Sequence, residues 1–270
     1  MFGKVNLKSF KIILLIALLA PFQVKAEQNQ YTTYNSPRFT LYFGHTENGK
    51  KLFSKNVAQK SLELLNQTAD EYSNIFQMKL NNVVVLKFLT PEEFKRTTGA
   101  PEWTSAMFYR GEISIPLPQN KVVNFSELER ALRHEYTHSV IAQISDYKCP
   151  AWLDEGIAQI LEGDVNPILA PSLRKWVNNS PLLPLDWLNN GFTTLEEHVV
   201  PVAYAESLYI TKKLVDQKGY PAIVKYLKLL KEEAPENYAF EHAFGTTKRE
   251  FMKKMDEQVV AWAKSNEKNP

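Results

Sequence analysis

The stretch FSELERALRHEYTHSVIAQI, residues 125 to 144, places Phe125, Leu128, Leu132, Tyr136, Val140 and Ile144 on one stripe at about 100° per residue. That spacing predicts an amphipathic helix starting near Phe125. On the same wheel His134 and His138 point about 160° away from the centre of the apolar stripe. The helix can therefore bury its leucines while its two imidazoles face a cleft, so it belongs between two bodies of structure rather than on an outer surface.

Four residues make just over one helical turn, which stacks the two imidazoles where both can reach a single tetrahedral ion. Glu135 then lies to one side, near a water on such an ion. The pattern alone has little specificity, because a chain of this length and composition spells His-Glu-x-x-His by chance roughly once in a hundred sequences. A catalytic zinc also needs a third protein ligand and an open fourth position. Across a turn marked by DYKCP (146 to 150) comes WLDEGIAQILEG, a second helical stretch beginning near Trp152. Its Glu155 could meet the histidine pair if the two helices form a hairpin. Taken singly, Asp154 and Glu155 need no metal to explain them, since acids are favoured in a helix's first turn.

Upstream, after a polar lead-in, RFTLYFG (38 to 44) alternates like a strand, and residues 54 to 76 carry apolar side chains at helical spacing. NNVVVLKFLT (81 to 90) is β-branched and strand-like. PEEFKRTTG (91 to 99) opens with a proline suited to a first helical turn, and SAMFYRGEISIPLP (105 to 118) reads as a strand or hairpin. From Phe125 onward the pattern is helical almost throughout, with Pro and Gly breaks near 150, 164 to 171, 181 to 184, 201 and 219 to 221. The expected fold is α+β: a mixed α/β lobe with a small sheet over 27 to 124, the helix pair at 125 to 163, and a mainly helical lobe over 164 to 270. These form one domain.

The chain opens with Lys4, Lys8 and Lys11, an apolar run from Ile12 to Ala20, and then Val24-Lys25-Ala26. The run is far short of the ~20 residues of a membrane-spanning helix, and a small-x-small site follows it. Residues 1 to 26 therefore read as an export signal cleaved after Ala26, leaving no stable membrane anchor. Loss of its four lysines takes the formal charge from +2 to −2, so the basic balance belongs to the signal and leaves no electrostatic footprint for nucleic acid. Cys149 is the one cysteine, so no internal disulfide can form, and it reads as packing. His45, His198 and His242 lie far from the motif and read as ordinary surface or core histidines. The triplets at 66 to 68, 124 to 126 and 178 to 180 are glycosylation patterns that matter only in a eukaryotic host.

HEYTH followed by WLDEGIA resembles the gluzincin metallopeptidases, whose Trp-Leu-x-Glu-Gly segment supplies a glutamate ligand. The chain is most similar to short, stand-alone bacterial members of the peptidase MA group, strongly over 125 to 163 and more weakly over 201 to 230 and 243 to 262. The resemblance implies one zinc per chain held by His134, His138 and Glu155, with Glu135 as general base. It also offers Tyr204, in AYAES, as donor to the oxyanion. Together with the export signal it implies a bacterial enzyme, periplasmic or secreted, acting on a peptide or protein substrate, with the oligomeric state left open. Two features depart from relatives. The aminopeptidase branch carries Gly-x-Met-Glu-Asn on its edge strand, whereas the matching SAMFYRGEIS has no such glutamate, which tilts the reading toward an endopeptidase. The thermolysin branch places an aspartate four residues after its glutamate ligand to orient a histidine. Here that position is Gln159, leaving Asp154 or a main-chain carbonyl for the task. The remaining alternatives are a hydrolase of another amide, such as a cell-wall peptide, and a binding module that keeps the metal fold without catalysis. The edge strand near 105 to 115 is expected to line the cleft, where it could pair with an extended substrate.

Overall fold

The computed structural model describes residues 31–44, 54–100, 104–117, 122–163, 166–192 and 195–265. The expected export signal and His45 lie outside the described residues. Five strands form one sheet in the order β1-β2-β3-β5-β4: β1 (Tyr31–Asn35), β2 (Phe39–Gly44), β3 (Val84–Leu89), β4 (Met107–Tyr109) and β5 (Glu112–Pro116). β1 pairs antiparallel with β2, β2 and β5 flank β3 in parallel, and β4 folds back antiparallel on β5. The polar lead-in thus hides a strand, because Tyr31 to Tyr34 are aromatic or β-branched and pair along a sheet edge, with Thr32 and Tyr34 half-buried.

Cross-strand register explains which face is buried. Leu41, Leu86 and Ile113 stand in one row and Phe43, Phe88 and Ile115 in the next, all inaccessible or nearly so. Onto that face pack α1 (Lys55–Ile75) and α3 (Phe125–Ser145). Tyr136 of α3 meets Phe39 of β2 edge-on at 5.2 Å and stacks on Tyr72 of α1 at 5.7 Å, so one aromatic ties the helix to both neighbours. The short α2 (Pro91–Thr98) covers the other end of β3 with a Thr90–Glu93 capping box and a Gly99 stop.

The helix that carries the histidines begins at Phe125, as its periodicity requires, with Asn124 accepting from the Ser126 N–H, and it stops at Asp146 in the left-handed region. Arg133 then anchors it. Its guanidinium makes two bonds to Glu71 of α1, at 2.8 and 2.9 Å, and its Nε donates to the Leu161 carbonyl at the end of α4 (Ala151–Leu161), at 2.9 Å.

The second lobe is helical. α4 lies against α6 (Val200–Lys231), with α5 (Leu169–Val177), a 3-10 turn at Leu185–Leu188, α7 (Glu236–Phe244) and α8 (Lys248–Lys264) around them. The break expected at 219 to 221 is a kink within α6, where Gly219 takes φ 71° and Pro221 follows. Gly156 sets the α4–α6 distance: a Cβ there would lie 2.5 Å from the Ser207 carbonyl oxygen and would overlap the Thr211 side chain. No side chain fits at that crossing.

One buried carboxylate holds the start of this lobe together. Glu206, fully inaccessible on α6, accepts the Leu183 N–H at 2.9 Å, and Asp256 of α8 accepts from Leu182. Burial, helped by the nearby Asp256 charge, lifts Glu206 to about 8 despite the amide it accepts. The folded chain therefore holds a proton that the unfolded chain releases near pH 4.5, so this group's contribution is complete below 4.5 and is lost as pH rises toward 8. Urea midpoints of the wild type should fall between pH 5 and pH 8, and Glu206→Gln should flatten that fall. An identical slope in both proteins would mean Glu206 is ionised in the fold.

Candidate active site

The α3–α4 hairpin brings the expected residues together. His134 Nε2 lies 3.4 Å and His138 Nε2 3.9 Å from Glu155 Oε2, and one donor atom from each residue falls within 4.8 Å of the others. The two imidazole rings sit 4.9 Å apart and nearly perpendicular. Their outer nitrogens are both engaged by acids: His134 Nδ1 by Glu162 Oε2 at 2.8 Å, and His138 Nδ1 by Asp154 Oδ1 at 2.9 Å. A carboxylate at Nδ1 keeps the proton on that nitrogen and turns the Nε2 lone pair inward.

The donor set fits zinc. Glu155 Oε2 is buried with no hydrogen-bond donor among the described residues, and it faces two imidazole nitrogens. Two imidazole nitrogens and a carboxylate oxygen converging on one point, each able to ligate through a lone pair, make a good cation site. The electrostatics agree. Burial alone would push the imidazole pKa values down. Glu155 and Glu162 outweigh it for His134, while Asp154 and Glu155 outweigh it for His138, lifted to about 9. Burial likewise pushes Glu155 up, and the two imidazoles more than reverse it. The carboxylates thus outnumber the imidazoles and hold positive charge between them.

Glu135 sits beside this cluster, 7 % exposed, with its carboxylate accepting from the Phe108 N–H of β4. Burial raises its pKa, partly offset by the neighbouring imidazoles. β4 is one of the sheet's two edge strands, so the edge expected to line the cleft does reach the motif. Tyr204 borders the same cleft from α6, its ring edge-on to Phe192 at 4.9 Å. Burial and the facing charges of Glu155, Glu135 and Glu162 raise its hydroxyl pKa, so it stays a proton donor. Gln159 touches neither histidine: its Nε2 donates to the Glu155 carbonyl at 3.2 Å and to the Tyr204 carbonyl at 3.0 Å, joining α4 to α6. Cys149 stands in the turn outside the donor cluster, its thiol pushed up by burial. His198 pairs with Glu196 at the surface, and His242 stacks on Tyr238, both away from the site.

Glu162 is the site residue that sequence reasoning missed. The available signal was its spacing, seven residues or two helical turns after Glu155 on the same face of α4. Because it fixes the tautomer and direction of His134, Glu162→Gln should weaken zinc binding by ~10- to 100-fold, measured by competition with a chromogenic chelator. Unchanged affinity would reduce the contact to a surface ion pair.

The family model of the Peptidase MA superfamily matches residues 97–261. Among solved structures, the chain is similar to an M1 zinc metallopeptidase from Deinococcus radiodurans, at 14% identity and TM-score 0.41, covering 87% of this chain and 51% of that one. A mutant of that protein bound to a Tyr-Ser-Ala substrate gives 14% identity, TM-score 0.42 and the same coverage. This chain thus spans about half the length of those it matches. Among curated proteins, none matches it by sequence.

Proposed function

Since the chain belongs to the Peptidase MA superfamily, we propose that it is an exported zinc peptidase that cuts within polypeptides, holding the metal through His134, His138 and Glu155. The observation that carries this reading is the convergence of three half-buried ligand groups, two imidazoles and a carboxylate, beside a second carboxylate, Glu135, in a cleft. Zinc, when bound, supplies a water of lowered pKa and a Lewis acid for the substrate carbonyl.

The chain's own groups do the rest. Glu162 and Asp154 hold the two imidazoles in one tautomer. Glu135, steadied by the Phe108 amide, takes a proton from the attacking water and returns it to the leaving amine. Tyr204 donates its hydroxyl hydrogen to the oxygen on which negative charge develops. The edge position of β4 supports an extended substrate backbone running past Glu135, which suits cleavage inside a chain. The lysines, apolar run and small-x-small site of residues 1 to 26 support export and removal of that segment.

His134→Ala, His138→Ala or Glu155→Ala should each lose most of the bound zinc, whereas Glu135→Gln should keep it and lose at least ~100-fold in hydrolysis of an internally quenched peptide with blocked termini. Metal analysis and kinetics on the four variants separate the roles. Full activity in Glu135→Gln would remove it as base, and a wild type inert on every peptide would favour the binding-module reading.

Tyr204→Phe should lower kcat by ~10- to 1000-fold with KM and zinc content little changed, because it removes a bond that strengthens in the transition state. Tyr209 is the control on the same helix, buried against the Lys213 ammonium. Activity lost in Tyr209→Phe and kept in Tyr204→Phe would sink the assignment.

A further inference from the structure

The cleft beside the donor cluster is lined by Ala106 and Ile115 from the sheet lobe and by Gln159 and Tyr204 from the helical lobe. Gln159 is held there by half of its functional group. It is 8 % exposed, and its Nε2 donates to the Glu155 carbonyl at 3.2 Å and to the Tyr204 carbonyl at 3.0 Å. An amide nitrogen has two hydrogens, so both are used, and two carbonyl partners admit only the orientation that turns the nitrogen toward them. The oxygen is the group left over. Gln159 Oε1 accepts from no donor among the described residues, and unlike Glu155 Oε2 it is not a buried orphan, so it opens to the cleft.

An extended peptide carries N–H and C=O groups along both of its edges. In the reading above, β4 pairs with one edge. The other edge loses its water as the cleft fills, and an N–H left there without an acceptor weakens binding. Glu162 is already engaged by His134, and the Tyr204 hydroxyl serves as a donor. Gln159 Oε1 is an acceptor already in place, and its orientation is fixed before any substrate arrives. Being uncharged, it does little to offset the desolvation of an ammonium, so it suits an amide inside a chain better than a free amino terminus.

We propose that Gln159 is a substrate-binding residue, its side-chain oxygen accepting a backbone N–H of a bound polypeptide within about two residues of the cut bond. The inference rests on the peptidase reading above and deepens it. Gln159 stands one helical turn, about 6 Å along α4, from Glu155, and an extended chain advances about 3.3 Å per residue, which sets that window.

Replacing one backbone amide of a peptide by an ester removes a single N–H and keeps the shape of the chain. Once the wild type's cut in a fluorescent peptide is mapped by mass spectrometry, esters are placed in turn across the window, with the cut bond left as an amide. Titrated against zinc-loaded Glu135→Gln and read by anisotropy, one ester should bind about five- to tenfold more weakly than the parent peptide. Adding Gln159→Met or Gln159→Leu should shrink that difference to less than about twofold, with zinc content unchanged. A side chain that only braced α4 against α6 would weaken parent and ester alike and leave their ratio as it was. Absence of any weakened ester in the window, a ratio undiminished in both Gln159 variants, or loss of zinc from both would overturn the acceptor role alone. A wild type that neither cuts nor binds any peptide would overturn the peptidase reading and the acceptor role with it.

Discussion

The site depends on how closely α4 can approach α6, and Gly156 decides that distance. With a hydrogen where any other residue has a Cβ, the Ser207 carbonyl and the Thr211 side chain come up against the α4 backbone. The residue before it is Glu155, and three residues after it Gln159 spans to the Tyr204 carbonyl. A contact made for packing thus fixes how far the metal-facing carboxylate stands from the phenol across the cleft. Widening it by even a methyl group would separate the two walls while leaving each helix intact. Overpacking of this kind typically costs about 1–3 kcal/mol. At this site it would also shift a carboxylate that has to meet two nitrogens.

The other wall is held by a charge arrangement that needs positive charge at its centre. Two imidazoles are enclosed by Glu155, Asp154 and Glu162, with Glu135 adjacent, all in a largely buried volume. Buried carboxylates in such number repel one another unless positive charge sits among them. The surrounding structure keeps them from relaxing apart. Arg133, immediately before His134, binds Glu71 and the Leu161 carbonyl, and Leu161 immediately precedes Glu162. One arginine therefore fixes the position of both the histidine and the acid that orients it.

Much of this was legible in the sequence because it depends on helical phase. The start of α3 at Phe125 and the shared face of His134 and His138 follow from spacing within one helix, whereas the meeting of Glu155 with them across a hairpin was what the resemblance implied. What escaped depends on partners far away in the chain. Tyr31 to Asn35 look like a polar tail until β2 supplies hydrogen bonds along them. Glu162 looks like an acid at a helix end until the hairpin closes and sets it against His134. Gln159 stands where the resemblance expects a histidine-orienting aspartate, yet its amide donates to two carbonyls, one of them across on α6, as no carboxylate could. Glu206 gives no local sign that its carboxylate is fully buried, since what buries it is the turn at 182 to 183 and a helix fifty residues on.

The helix α3 does three jobs at once by presenting three directions. Leu132, Tyr136 and Val140 enter the core, His134 and His138 face Glu155, and Leu128, Ala131 and Glu135 border the cleft. Neighbouring residues on a helix differ by about 100°, so Glu135 stands to one side of His134 before it. Glu135 and the two imidazoles are therefore rigidly registered on one element. That register explains why the aromatic contacts of Tyr136 with Tyr72 and Phe39 matter to chemistry they never touch: they set the rotation of α3, and rotation is what assigns each residue its direction.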